Sequence, residues 1–171
     1  MPPLLIAMVL GLLGVAAWRD VATRTIPDRI SIALCVMGAA YRLSEGWQAL
    51  LFSLLVASGL FLVLVFCHAR GVLGGADVKL LVSLAIGLPP VSAGQLLLAT
   101  ALAGGLLAVL YLTLARLLPR GTAKISSRGP LAQPCRIARL ELIRIRRGYP
   151  LPYGVAIAVG ALAVFTTPSG A

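Results

Sequence analysis

The sequence predicts an all-α membrane protein, and three observations carry this prediction. The chain has 171 residues, of which 60% are hydrophobic and only 12% are charged, and its mean hydropathy is +1.00. A soluble domain of this size needs many more charged residues to cover its surface. Apolar runs of roughly 20 residues, each long enough to cross a bilayer as a helix, recur along the chain. We therefore expect one membrane-embedded domain over residues 1–171, with about six membrane-spanning helices, short loops and both termini outside the cytoplasm.

Apolar runs and the residues that break them define the six predicted spans, at approximately residues 4–19, 27–43, 47–67, 72–90, 92–118 and 149–166, with a basic loop over 119–148. Thr25 and Pro27 are helix-start signals for the second span. The fourth span is the least obvious, because the run from Val78 to Leu88 is too short to cross. A start near Val72 gives it about 19 residues, a plausible crossing length. That start places residues 74–77 at membrane depth.

The distribution of basic residues predicts the orientation. Of the 15 Lys and Arg residues, 14 fall on one side of the six-span map, and only Arg42 falls on the other. The positive-inside rule makes the basic side cytoplasmic. Basic residues in a membrane protein mostly set topology and meet anionic lipid, so we expect lipid contact at this face and no nucleic-acid partner. The segment from Cys135 to Arg147 is expected along the same interface, either as a topology determinant or as a docking surface for a substrate.

The cysteines and the single histidine argue against several kinds of site. Cys35, Cys67 and Cys135 lie far apart and form no C-x-x-C pair, so neither a zinc site nor a disulfide framework is predicted. His68 is expected to be interfacial, and the chain lacks H-E-x-x-H and G-x-S-x-G. We therefore expect no metal and no other cofactor. The N-terminus lacks the basic region of a secretory signal, so the first apolar run is expected to be a retained span.

Asp20 and Asp77 are the candidate catalytic residues among only five acidic residues. Asp77 is predicted at membrane depth, where an ionisable group is costly and is a functional candidate by default. Asp20 alone resembles a boundary residue, but the topology places it on the same cytoplasmic side. Two carboxylates in one low-dielectric site do not both ionise easily, so one can activate a water while the other donates a proton. This is the arrangement of an aspartic protease.

The other acidic residues have simpler interpretations. Asp28 follows Pro27 at a helix start, where a carboxylate stabilises the unpaired amides and meets the positive end of the helix dipole. Glu45 lies in the short outer loop and Glu141 in the arginine-rich stretch, and both are expected to be solvated or paired with arginine.

Small and basic neighbours of Asp77 are open to two interpretations. Gly71, Gly74 and Gly75 allow backbones to approach closely, either for ordinary helix packing or to present hydrogen bonds to an unwound substrate. Lys79 is either a topology charge or a partner that keeps Asp77 ionised.

Two segments resemble the motifs of type IV prepilin peptidases. Residues 20–28, D-V-A-T-R-T-I-P-D, resemble the segment in which that family's catalytic Asp precedes Ile-Pro-Asn or Ile-Pro-Asp. Residues 74–80, G-G-A-D-V-K-L, resemble its second motif, G-x-G-D-x-K-L, with Ala76 replacing the second glycine. Residues 151–156, L-P-Y-G-V-A, look like the last span of the shorter members that serve tight-adherence (Flp-type) pili. The resemblance covers nearly the whole chain.

The resemblance implies an aspartic endopeptidase of the bacterial cell (inner) membrane. It would cut the basic leader peptides of Flp-type prepilins and pilin-like proteins at the cytoplasmic face. Asp20 and Asp77 would be the catalytic pair. The weaker candidates for substrate positioning are Ile26, Pro27, Asp28, Gly74, Gly75 and Lys79. The long, bifunctional members also methylate the new N-terminus and carry an insert with four cysteines, which this sequence lacks, so we expect cleavage only.

Two rival functions remain open to test. A small ion- or proton-coupled transporter would use Asp77 as an ion or proton site, and would need charged residues spread through several spans. A non-catalytic membrane scaffold would tolerate replacement of both Asp20 and Asp77.

Overall fold

Six α-helices make up the fold of the computed structural model, which describes residues 1–117 and 151–167. They are α1 (Pro3–Thr23), α2 (Asp28–Glu45), α3 (Trp47–Ala69), α4 (Gly75–Ile86), α5 (Pro90–Leu117) and α6 (Tyr153–Thr166). The prediction of an all-α fold is confirmed. The predictions for the basic loop 119–148, including the segment 135–147, lie outside the described residues.

Three of the helices are long and apolar enough to cross a membrane. They are α1, α3 and α5, with 21, 23 and 28 residues, and α6 is a shorter apolar helix. Large apolar side chains point outward from the bundle, and Leu55, Leu62 and Leu106 are each at least 70% exposed. A continuous apolar exterior is costly in water and favourable in lipid. The protein is therefore a membrane protein, while the six-span topology and the position of both termini stay predictions.

Helix α4 is the central helix of the bundle and is shorter than the predicted span at 72–90. It has 12 residues, seven of them buried, and packs mainly against α2 and α3. At 1.5 Å per residue its length is about 18 Å, less than the ~30 Å of a bilayer core. A turn at residues 70–74 precedes it, where Gly71 has a φ of +73°, and Pro89 and Pro90 follow it. Glycine and proline therefore limit the helix at both ends.

Close contacts between small residues hold the helices together. A Cβ built on Gly38 of α2 would lie 2.8 Å from Cα of Gly87, just after α4. A Cβ on Gly160 of α6 would lie 2.5 Å from Oγ1 of Thr100 on α5. Such contacts let helix backbones approach, which is a main source of stability where lipid weakens the hydrophobic drive. Packing of α6 against both α5 and α1 sets its first turn beside the last turns of α1.

Polar groups gather at the two opposite ends of the bundle. At one end, which we call the aspartate end, α1 and α3 finish and α2, α4 and α6 begin. At the other end the buried Arg42 donates to Ser53 Oγ at 2.8 Å and pairs with Glu45, and Ser53 donates to the carbonyl of Leu88 at 3.0 Å. This second cluster ties α2 and α3 to the end of α4 and lies away from the aspartates.

Candidate active site

Asp20 is buried because it belongs to the inward stripe of α1. Val9, Leu13, Ala16 and Asp20 are the buried residues of that helix, and their spacing of three or four residues places them on one face. The helix continues beyond Asp20 to Thr23, and the residue that caps it, Arg24, has a φ of 57° and donates its N–H to the Asp20 carbonyl at 3.0 Å. Asp20 therefore projects from within a helix, where only 8% of its surface is exposed.

The carboxylate of Asp20 meets the beginning of α6. The backbone N–H of Gly154, the second residue of that helix, donates to Asp20 Oδ2 at 2.8 Å in a buried hydrogen bond. The first amides of a helix have no acceptor within the helix, and the helix N-terminus is electropositive. The contact therefore satisfies a free amide and stabilises a buried carboxylate.

Asp77 is the third residue of α4, and its carboxylate folds back on the residue that precedes the helix. Gly74 is the N-cap, and its N–H donates to the Asp77 carboxylate. This is the backward half of a capping box. A Cβ on Gly74 would lie 2.7 Å from Asp77 Oδ2, so the carboxylate occupies the space that any larger residue would need.

The structure brings Asp20 and Asp77 together at the aspartate end. Their carboxylates are close enough to repel each other, and the guanidinium of Arg24 attracts Asp77. Asp20 comes from α1 and Asp77 from the first turn of α4. Two carboxylates in one partly buried site do not both ionise easily. The arrangement can therefore offer a proton acceptor and a proton donor at the same end of the bundle.

The weaker candidates from the first motif have clear structural roles. Ile26 packs against the hydrophobic core, and Pro27, at φ −65°, is the N-cap of α2. Asp28 begins α2 and accepts from Lys79 Nζ of α4 at 2.8 Å. Both side chains of this pair are more than half exposed, so it contributes less than about 1 kcal/mol to stability. The ammonium of Lys79 is thus bonded to Asp28, and the pair braces α2 against α4.

His68 supports the turn that leads to Asp77, which the sequence did not indicate. Its Nδ1 lies 2.8 Å from the carbonyl oxygen of Leu73. The ring also packs against Gly75, where a Cβ would lie 3.3 Å from His68 Cε1. Gly74 and Gly75 are therefore each confined by a side chain of the aspartate end. The only sequence signal was the short distance between His68 and this glycine-rich turn.

Gly154 is the second residue that the sequence did not single out. It belongs to the L-P-Y-G-V-A segment, but nothing in that segment indicates a partner 134 residues earlier in the chain. Among residues 1–117 and 151–167, no group of three or more His, Cys, Asp or Glu side chains is placed to hold a metal ion. Cys35 and Cys67 are free thiols on α2 and α3.

Comparison with known proteins identifies the family. The profile of the type IV leader peptidase family matches residues 7–109, which is more than half of the chain and includes both aspartates. No curated protein and no solved structure matches the chain. The extent of the family match means that this chain belongs to the type IV leader peptidase family.

Proposed function

We propose that this protein is a membrane-embedded aspartic endopeptidase that removes the leader peptides of type IV prepilins. The observation that carries the proposal is the convergence of Asp20 and Asp77 at one end of the bundle. Each carboxylate is held by a backbone amide at the start of a helix. The family match supports a peptidase that acts on prepilins in general.

The pair supplies both proton transfers that hydrolysis needs. The ionised carboxylate takes a proton from a water molecule, whose oxygen attacks the scissile carbonyl carbon. The neutral carboxyl group gives its proton to the amide nitrogen as the C–N bond breaks. The two products are the leader with a new carboxyl group and the pilin with a new amine. The pair has taken one proton from water and given one to the amide nitrogen, so it still holds one proton. That proton must only return to the original carboxyl group before the next turnover.

The position of the pair suits a substrate that is cut at a membrane boundary. The aspartate end carries Arg19 in the last turns of α1, Arg24 in the connection to α2, Arg29 in the first turn of α2 and Arg70 after α3. By the positive-inside rule this end faces the cytoplasm. A prepilin leader is basic and is followed by a hydrophobic helix, so the same rule leaves its cleavage site at the cytoplasmic face. Anionic lipid would neutralise the basic residues of both proteins.

The finer assignment is a peptidase of the tight-adherence (Flp-type) branch, located in the bacterial inner membrane and acting by cleavage alone. It is supported by the L-P-Y-G-V-A segment and by the three cysteines of this sequence, which form no C-x-x-C pair of the kind that the long, methylating members carry. The substrates would be Flp-type prepilins and pilin-like proteins.

Cleavage of a co-expressed Flp-type prepilin tests the proposal. Removal of the leader is measured by the mobility shift of the pilin and by mass spectrometry of the new N-terminus of the pilin. Asp20→Asn and Asp77→Asn should each lower cleavage by about 10²- to 10⁴-fold, the usual contribution of a general acid or base. Glu45→Gln is the matched control, because Glu45 lies at the opposite end of the bundle beside Arg42, and it should cleave like wild type.

The same assay separates the proposal from its rivals. Full cleavage by either asparagine variant would refute the two-aspartate mechanism. Wild type that leaves every Flp-type prepilin intact, while proton or ion flux into proteoliposomes depends on Asp77, would favour a transporter. The mature pilin should have the mass of an unmethylated N-terminus. A methylated N-terminus produced by this protein alone would contradict cleavage without methyl transfer.

A further inference from the structure

We propose that Gly154 is a positioning residue whose backbone N–H holds the carboxylate of Asp20 in its catalytic rotamer. The inference rests on the proposed function for the role of Asp20, and it adds α6 to the elements that build the site. The catalytic machinery would then extend beyond the region matched by the family profile, which ends at residue 109.

The hydrogen bond is short and shielded from water. The N···O distance is 2.8 Å, and the contact is buried. An N–H bonded to a carboxylate belongs to the stronger class of hydrogen bonds, and a buried one is not exchanged for water. Because α6 packs tightly against α5 and α1, the amide is held on a rigid element. The Asp20 side chain therefore meets a fixed donor.

The absence of a side chain at position 154 is what permits this contact. A Cβ built on Gly154 would lie 3.0 Å from Asp20 Cβ, 3.0 Å from its Oδ2 and 3.3 Å from its Cγ. These distances are shorter than ordinary carbon–carbon and carbon–oxygen contacts. A Cβ at this position would require the Asp20 side chain to shift by a few tenths of an ångström relative to the amide. The three atoms nearest to such a Cβ all belong to Asp20, which links glycine at position 154 to the placement of that side chain.

The first test compares Gly154→Ala with Gly105→Ala in purified protein reconstituted into liposomes. Gly105 lies on α5, where an added Cβ meets nothing within 4 Å. With a synthetic Flp-type prepilin as substrate, Gly154→Ala should lower kcat at least about tenfold and leave KM within about twofold, because a small misplacement of a catalytic group costs rate rather than binding. Gly105→Ala should keep both constants.

A second variant removes the donor without adding volume. Glycolate at position 154, introduced in cell-free synthesis with a misacylated transfer RNA, replaces the N–H by an ester oxygen. It leaves packing intact, so it decides the question if Gly154→Ala does not fold. Loss of a hydrogen bond to a charged group should lower kcat by roughly tenfold or more. A kcat within about twofold of wild type for the ester, or for a folded Gly154→Ala, would overturn the proposal.

Thermal unfolding in detergent separates failure of this inference from failure of the proposed function. Gly154→Ala should lower the Tm of the wild-type background by more than that of an Asp20→Ala background, which lacks the Cγ and Oδ2 atoms that the new methyl group meets. An equal loss of Tm in both backgrounds would refute the contact between Gly154 and Asp20. If the loss of Tm is larger in the wild-type background but wild type cleaves no prepilin, the proposed function fails and the contact between Gly154 and Asp20 stands.

Discussion

Replacement of Gly74 by alanine is the sharpest perturbation of the site that the structure offers. The new Cβ would lie 2.7 Å from Asp77 Oδ2. A carbon–oxygen contact needs roughly 3.3 Å, so the carboxylate must withdraw by roughly 0.6 Å. The backbone of Gly74, at φ −71° and ψ 143°, lies in a region open to every residue. The substitution therefore moves the carboxylate without straining the chain.

The expected result is a loss of rate without a loss of fold. A displacement of this size at a catalytic group should lower kcat by about 10- to 100-fold. Alanine is a poorer N-cap than glycine, but the cost to stability should stay below about 1 kcal/mol. The assay measures kcat and KM with a synthetic prepilin in liposomes, and the Tm of the same preparations. Gly14→Ala is the control, because an added Cβ at that position of α1 meets nothing within 4 Å.

Full activity in Gly74→Ala would refute the reasoning. It would mean that the Asp77 carboxylate does not occupy the position beside Gly74 during catalysis, or that the carboxylate takes no part in it. A loss of activity matched by a large fall in Tm would also count against the expectation, since the carboxylate is the flexible end of a side chain and can withdraw at little cost.

Two further predictions concern residues around the site and at the far end. His68→Ala should lower kcat roughly fivefold, since it removes one hydrogen bond of about 1 kcal/mol to the turn before Asp77. His68→Asn should restore kcat, because the asparagine amide can donate to the Leu73 carbonyl. Equal kcat values for the two variants would contradict this role of His68. Arg42→Met should destabilise the protein by about 1–3 kcal/mol in thermal unfolding, since it removes the hydrogen bond to Ser53 and the ion pair with Glu45. The kcat of the folded fraction should stay at the wild-type value. A fall in kcat would show that the two ends of the bundle are coupled.

Local patterns predicted much of the fold. Apolar runs bounded by glycine and proline located the six helices of residues 1–117 and 151–167, because hydrophobic length and helix breakers act within a few residues of sequence. The same patterns overestimated α4. Its apolar sequence reflects burial among other helices, and a buried helix can be shorter than the bilayer is thick. Its bounds depend on the turn at residues 70–74, whose geometry is not visible in hydropathy.

The two aspartates were also selected from the sequence, because acidic residues are rare in it, because both were predicted on the same side of the membrane, and because of the motifs around them. The groups that surround the two side chains could not be predicted. That Asp20 lies on the buried stripe of α1 was readable from its spacing with Leu13 and Ala16, but the amide that meets it belongs to α6. Lys79 is bonded to Asp28, and no spacing rule distinguishes that partner from Asp77.

Hydropathy, charge and motif spacing thus indicated the class of protein, the positions of its helices along the chain and the candidate pair of carboxylates. Only the tertiary structure decided which backbone amides hold those carboxylates and how closely the carboxylates approach positions 74 and 154. The physical reason is that periodicity and composition are local properties of a chain. A clearance of 3.0 Å between a Cβ at position 154 and Asp20 exists only once α1 and α6 have packed together.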